Sequence, residues 1–193
     1  MTFESLCDDA RAVLDHARSL GFSNFAVMGT RIGALVAAAT AAALPSSVPL
    51  AAWEPIDDPV RFIADAVRAN RISRATQGGG QEAVNWRQEL KTSGVLHLLG
   101  YDVYSAMVES LEGVDLLSAL GSQVRPVLLA RFRARPGATD KVHDDLVQRG
   151  FPVQWGNYGL SESWWFHSEH APESGELINA TVDWVSDALA ENA

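Results

Sequence analysis

The sequence predicts an α/β fold, three layers deep, with a mostly parallel sheet flanked by helices. Short apolar runs bounded by turn formers recur along the chain as "NFAVMG", "VPLAAWEP", "VRPVLLARF" and "FPVQWGNY", the mark of strands buried on both faces. Helical stretches alternate with these runs, which puts parallel strands in the centre and crossover helices on the faces. At 193 residues, 47% hydrophobic and 20% charged, the chain suits one globular domain with a full core. The expectation is therefore a single domain over 1–193 with a helical or irregular insert at about 57–123.

The elements follow in order. Phe3, Leu6, Cys7, Ala10, Val13, Leu14 and Ala17 recur at helical spacing and Gly21 follows as a stop, so 4–20 reads as an amphipathic helix. "NFAVMG" is a strand over 24–29, and "RIGALVAAATAAAL" is apolar almost all round until Pro45, a deeply buried helix over 31–44. A second strand spans 48–54. The next helix starts with Asp58 as N-cap and Pro59 at its first position.

The middle is less regular. "ATQGGG" at 75–80 is a flexible break, "QEAVNWRQELKT" has helical character, and "SGVLHLLGYDV" reads as a hairpin-like excursion before a helix over 103–111. A third core strand covers 124–132 and a helix over 139–149 opens with Thr139 or Asp140 as cap. The fourth strand covers 151–158. The last helix, 174–190, buries Leu177, Ile178, Thr181, Trp184, Val185, Ala188 and Leu189.

Bulk charge excludes some partners. A formal net charge of -9 repels phosphate backbones and anionic lipid, so neither nucleic acid nor a membrane surface is expected. Cys7 is the single cysteine, which rules out an internal disulfide and fits a cytoplasmic protein. The N-terminus carries acids where a signal peptide needs a basic start, and no apolar run reaches the roughly 18 residues of a membrane span. There is no H-E-x-x-H, no P-loop and no G-x-G-x-x-G after a strand, and His16, His97 and His143 stand singly. No metal or cofactor is expected.

One motif carries chemistry. Gly29-Thr30-Arg31-Ile32-Gly33 sits between a predicted strand and a predicted helix, the place of the G-x-S-x-G nucleophile elbow. Both glycines are present, serving the tight turn and close helix packing whatever the chemistry, and arginine takes the serine's seat. "WEP" after the second strand, "GYDVYSAM" before a helix, "RPVLL" in the third strand and a Trp-rich exit from the fourth follow in order. With these features the chain resembles the α/β hydrolases, and among them the exosortase A system-associated hydrolases of the serine aminopeptidase-like branch. The resemblance covers most of the chain but the C-terminal part of the fold, and implies that the first half of the usual sheet lies outside it.

The resemblance also says where a triad would be. Arg31 cannot attack a carbonyl, because a guanidinium stays protonated at any working pH. Beyond the third strand, where the acid belongs, stand Arg131, Arg133 and Arg135, with Asp140 the nearby carboxylate and equally a helix cap. After the fourth strand, "SWWFHSEH" offers His167 and His170, as a base or as surface residues. The Gly78-Gly79-Gly80 run lies after the elbow, so it reads as a mobile loop and not as an oxyanion loop.

A converted elbow has a different use. Helix-start amides in the turn Thr30-Arg31-Ile32, joined by a guanidinium fork, suit a small anionic ligand such as a carboxylate. Trp53, Glu54, Tyr101, Tyr158, Trp164 and Trp165 fall near the strand ends or the insert, where open α/β sheets bind ligands. The same aromatic residues equally suit packing of the insert or a partner interface, and Arg31 equally suits a buried pair with Glu54.

Finally, the strand before the elbow would have a bare edge, an aggregation site unless covered. Either residues 1–23 or the 81–101 insert covers it, or the chain forms a homo-oligomer or a hetero-complex with a protein supplying the rest of the sheet. Three functions follow: an accessory subunit inactive alone, a hydrolase subunit completed by a partner, or a carboxylate binder using Arg31.

Overall fold

The computed structural model describes residues 1–76, 85–98, 100–123, 125–132, 140–158 and 175–191. It has an α/β fold with a four-stranded parallel sheet and helices on both faces. Contacts group the chain into two compact units, Met1–Asp8 with Asp58–Val114, and Asp9–Asp57 with Asp115–Ala193. The second holds the sheet.

The sheet strands are β1 (Val27–Thr30), β2 (Leu50–Trp53), β5 (Val127–Arg131) and β6 (Val153–Asn157), in spatial order β1-β2-β5-β6. All neighbouring pairs are parallel, with Met28 opposite Ala51 and Ala51 opposite Leu128. The two central strands are buried along their whole length, as their apolar runs Leu50–Trp53 and Val127–Ala130 require. Helix α2 (Ile32–Ala42) packs on β1 and β2, and α6 (Leu116–Leu120) lies between it and α7 (Lys141–Gln148). On the other face α8 (Gly175–Ala190) seats Trp184 and Ala188 on Ala51 and Leu128, and Leu177 on Trp53, Ala130 and Phe132.

The other unit contains α3 (Pro59–Thr76), α4 (Trp86–Ser93), the antiparallel hairpin of β3 (Val95–Leu98) and β4 (Tyr101–Tyr104), and α5 (Ser105–Ser110). Asp58 caps α3 by accepting the Arg61 N–H at 2.9 Å. Asn85 caps α4, which ends on Gly94 in the left-handed conformation, φ 74°. The first turns of α1 (Phe3–Ser19) belong here too, with the Phe3 N–H donating to Ser110 Oγ at 2.8 Å. No helix among the described residues is long and apolar enough to cross a membrane.

Several expectations are corrected. Val103 and Tyr104 end the hairpin, so the helix expected from 103 begins at Ser105. Ala75 and Thr76 continue α3, while the glycines after them lie outside the described residues. Helix α6 was not foreseen: its five residues are too few to show a period, and its signal is the capping box of Asp115 and Ser118. Of the apolar residues in α1, Phe3 and Cys7 are buried while Val13 is exposed. Strand β1 is not buried on both faces, because it is an edge strand and leaves Met28 49% exposed. Ile178 on α8 is likewise exposed, since four residues of that helix, Leu177, Thr181, Trp184 and Ala188, suffice to face the sheet.

Candidate functional site

The site is the crest of the sheet, where the strands end. β1 runs into Arg31, whose backbone is held at φ 57°, ψ -121° directly before α2. A non-glycine residue there is strained by about 1–3 kcal/mol and persists only where its surroundings over-determine it. They do so here. The Arg31 N–H donates to the Trp53 carbonyl at 2.9 Å, and its own carbonyl accepts the Ala34 N–H at 3.1 Å.

Gly29 closes the turn. A Cβ there would run into the Gly33 carbonyl and the Ala34 nitrogen, so the strand and helix approach at a distance open only to glycine. Gly33 differs: a Cβ would meet nothing within 4 Å. The expectation that both glycines serve packing is therefore right for Gly29 and wrong for Gly33.

β2 ends on a second strained residue, Glu54 at φ 41°. Its N–H donates to the Ala130 carbonyl at 2.7 Å and its Oε2 accepts the Phe132 N–H at 2.7 Å. Glu54 thus ties the ends of β2 and β5 together. No ion pair between Arg31 and Glu54 occurs; the glutamate lies instead 3.9 Å from Arg131 Nη1.

Arg131 is the centre of the crest. It closes β5 and is 1% exposed. Its Nε donates to Asp140 Oδ2 at 2.7 Å, Nη2 to Asp57 Oδ1 at 2.6 Å, and Nη1 to the Pro55 carbonyl at 2.5 Å. Burial by itself lowers the guanidinium's pKa, but hydrogen bonds and charge from Asp57 and Asp140 outweigh it and hold the pKa above the ordinary value. Asp140 is fully engaged: Oδ1 accepts from the Val142 and His143 amides at 2.9 and 3.2 Å, capping α7, while Oδ2 faces Arg131. The helix cap expected at Asp140 is present, and an ion pair is added to it.

The aromatic residues divide. Trp53 is buried, its indole N–H donating to Thr181 Oγ1 at 3.1 Å and its ring edge-on to Phe132 at 6.3 Å. It is a core residue whose polar atom is satisfied. Tyr158 leans on the cluster of Trp53, Ala130, Phe132 and Leu177. Burial raises its pKa, and the charge of Glu176 raises it further. Tyr101 is 74% exposed on β4, in the unit without the sheet. Thr30 and Ile32 flank the elbow and are half-buried. Trp164, Trp165, His167 and His170 lie outside the described residues.

Two of the other histidines sit beside acids: His97 faces Asp102 across the hairpin, and His143 meets its neighbour Asp144. The Arg131 cage escaped the sequence reading, which took Arg131 as the loss of an acid. A signal for it exists, an arginine closing an otherwise apolar strand with acids at 54 and 57 just beyond the neighbouring strand.

A parallel sheet whose strand enters a helix through a strained turn is an arrangement that the α/β-hydrolase fold also has. The structure is similar to the crystal structure of the alpha/beta hydrolase GrgF from Penicillium sp. sh18, with TM-score 0.51 and 14% identity, covering 95% of this chain and 73% of GrgF. A weaker similarity links it to the hypothetical protein PA1622 from Pseudomonas aeruginosa PAO1, with TM-score 0.39 and 20% identity over 79% of this chain and 64% of that one. No protein-family model and no curated protein matches the chain.

Proposed function

We propose that this chain is an α/β-hydrolase-like protein that does not hydrolyse by itself and acts as an accessory, complex-forming subunit, akin to the exosortase A system-associated hydrolases it resembles in sequence. The observation that carries this is the elbow. The strained backbone of the nucleophile seat is kept at φ 57°, ψ -121°, with a guanidinium in place of a nucleophile. Asp140, nearest to the usual acid position, has one carboxylate oxygen on Arg131 and the other on the start of α7. A histidine base would find it already occupied.

The test is labelling with a fluorophosphonate and turnover of short-chain p-nitrophenyl esters by the purified chain. Neither is expected. Labelling or turnover by the chain alone would overturn the proposal. Activity that appears only with a co-purified protein would establish a hydrolase subunit completed across an interface.

A second reading rests on α2 opening without a side-chain cap. Its first amides and Arg31 then suit a small carboxylate. Succinate or benzoate should raise the melting temperature of the wild type and leave Arg31→Ala unmoved.

A further inference from the structure

The unit without the sheet holds a cleft of about 450 Å³, formed where α3 and α4 begin and the chain leaves α5. Its walls include Asp58 and Arg61 at the start of α3, Trp86 and Arg87 at the start of α4, and Glu112 and Gly113 in the turn after α5. That volume falls within the roughly 300–1,000 Å³ of small-molecule sites. Two ion pairs tie the walls together: Arg71 of α3 with Glu89 of α4 at 3.6 Å, and Arg87 with Glu112 at 3.5 Å. Gly113, at φ 75°, supplies the left-handed turn beside Glu112.

Asp58 and Arg61 stand apart from the other charged pairs. An aspartate and an arginine three residues apart on a helix commonly pair through their side chains, as Asp15 with Arg18 at 3.1 Å and Asp65 with Arg68 at 2.8 Å do in this chain. Asp58 instead gives Oδ1 to the Arg61 backbone N–H, so the capping bond claims the carboxylate. Among the described residues the Arg61 guanidinium is left without an ion-pair or hydrogen-bond partner.

The lining thus carries two cations and two anions, and one of each is unspent: Arg87 and Glu112 hold each other, while Asp58 and Arg61 do not. A bare anion would meet Asp58 and a bare cation would meet Arg61, so the charges select a ligand of both signs. Half-buried Trp86 adds a flat surface, with the Arg87 guanidinium over its ring at 5.0 Å from the centroid. Arg87 and Glu112 are 57% and 58% exposed, so their pair is weak and gives up the ring at little cost.

We infer that this cleft binds a small zwitterion with a flat ring, of the aromatic amino-acid class, its carboxylate on Arg61, its ammonium on Asp58 and its ring on Trp86. An aliphatic amino acid lacks the ring, and a nucleotide brings too much negative charge to a wall that includes Asp58 and Glu112. None of these residues belongs to the elbow or to the Arg131 cage, so the site stands whether or not the chain is a subunit.

Isothermal titration calorimetry of the full chain with L-tryptophan tests it. The expected result is one saturable site, weakened about tenfold or more by Arg61→Ala, a change at an exposed position that leaves the circular dichroism as it was. Trp86→Leu should weaken binding about tenfold, the upper reach of a single aromatic pair. Indolepropionate, which lacks the ammonium, and tryptamine, which lacks the carboxylate, should each bind about tenfold more weakly than the amino acid. Arg31→Ala should bind as the wild type does, which separates this site from a carboxylate held at the elbow. No saturable heat with L-tryptophan, an affinity unmoved by Arg61→Ala or by Trp86→Leu, equal affinity for indolepropionate or tryptamine, or loss of binding in Arg31→Ala would overturn it.

Discussion

Arg131 ends β5 and Arg125 stands two residues before its start; both are 1% exposed, yet they are held in opposite ways. Arg131 meets Asp57, Asp140 and the Pro55 carbonyl at 2.5–2.7 Å. Arg125 bonds only its near neighbour Gln123, through the backbone carbonyl and Oε1, and its buried Nη1 has no hydrogen-bond partner among the described residues. Burial lowers the Arg125 pKa, whereas neighbouring acids raise that of Arg131. The crest of the sheet is thus specified by a charge network that over-determines it, and the base carries a cation with little around it to compensate. Strain follows the same division, since Arg31 and Glu54, the positive-φ non-glycine residues among the described ones, both lie at the crest.

The largest effect should come from breaking the network. Arg131→Met leaves the buried Asp140 and the half-exposed Asp57 without their cation, and should cost about 3–5 kcal/mol in urea denaturation. A loss below about 1 kcal/mol would mean that the crest network contributes no more than exposed ion pairs do.

Next come the residues of the elbow. Gly29→Ala forces its methyl into the Gly33 carbonyl and should destabilise by about 1–3 kcal/mol, while Gly33→Ala, with open space around its Cβ, should be nearly neutral. Arg31→Gly should move the other way, stabilising by about 1 kcal/mol as the strain at φ 57° is relieved. A fall in stability on that change would show that the guanidinium holds the turn together and that the seat has been rebuilt around it.

These contrasts also show what was legible in sequence. The fold was readable because "LAAW" is apolar throughout and "VLLAR" is apolar up to its closing arginine, and the helices after them are capped by Asp58 and Asp140. The elbow was readable because Gly29 is sterically obligatory. The cage was not, because its members lie up to 86 residues apart, from Glu54 to Asp140, and only the parallel register brings them together. Exposure on α8 was not readable either. Six apolar residues with Thr181 gave the helix a wide stripe, and nothing local says which of them the sheet beneath covers.

At the base, Arg125→Met should change stability by about 1 kcal/mol or less and in the stabilising direction, since it removes a buried cation that has no carboxylate and frees no buried acid. Thermal melting of this variant beside Arg131→Met is the direct measure of the asymmetry. Equal losses from the two would abolish it.

The smallest effect concerns Tyr158, at the β6 side of the crest. Its pKa is raised by burial and by Glu176, so the native state favours the neutral phenol. For a group whose folded pKa exceeds its unfolded one, the contribution is complete below the unfolded value and is lost as pH rises through the folded value. The wild type should therefore lose stability above about pH 10, the ordinary range of a tyrosine, and Tyr158→Phe should lose less over the same interval. Because Gly156 leaves the ring its room, with a Cβ there meeting the phenol at 2.6 Å, the substitution keeps the packing and isolates the hydroxyl. Identical alkaline profiles for the two proteins would place the loss at other tyrosines and leave the β6 side of the crest without a pH-sensitive group.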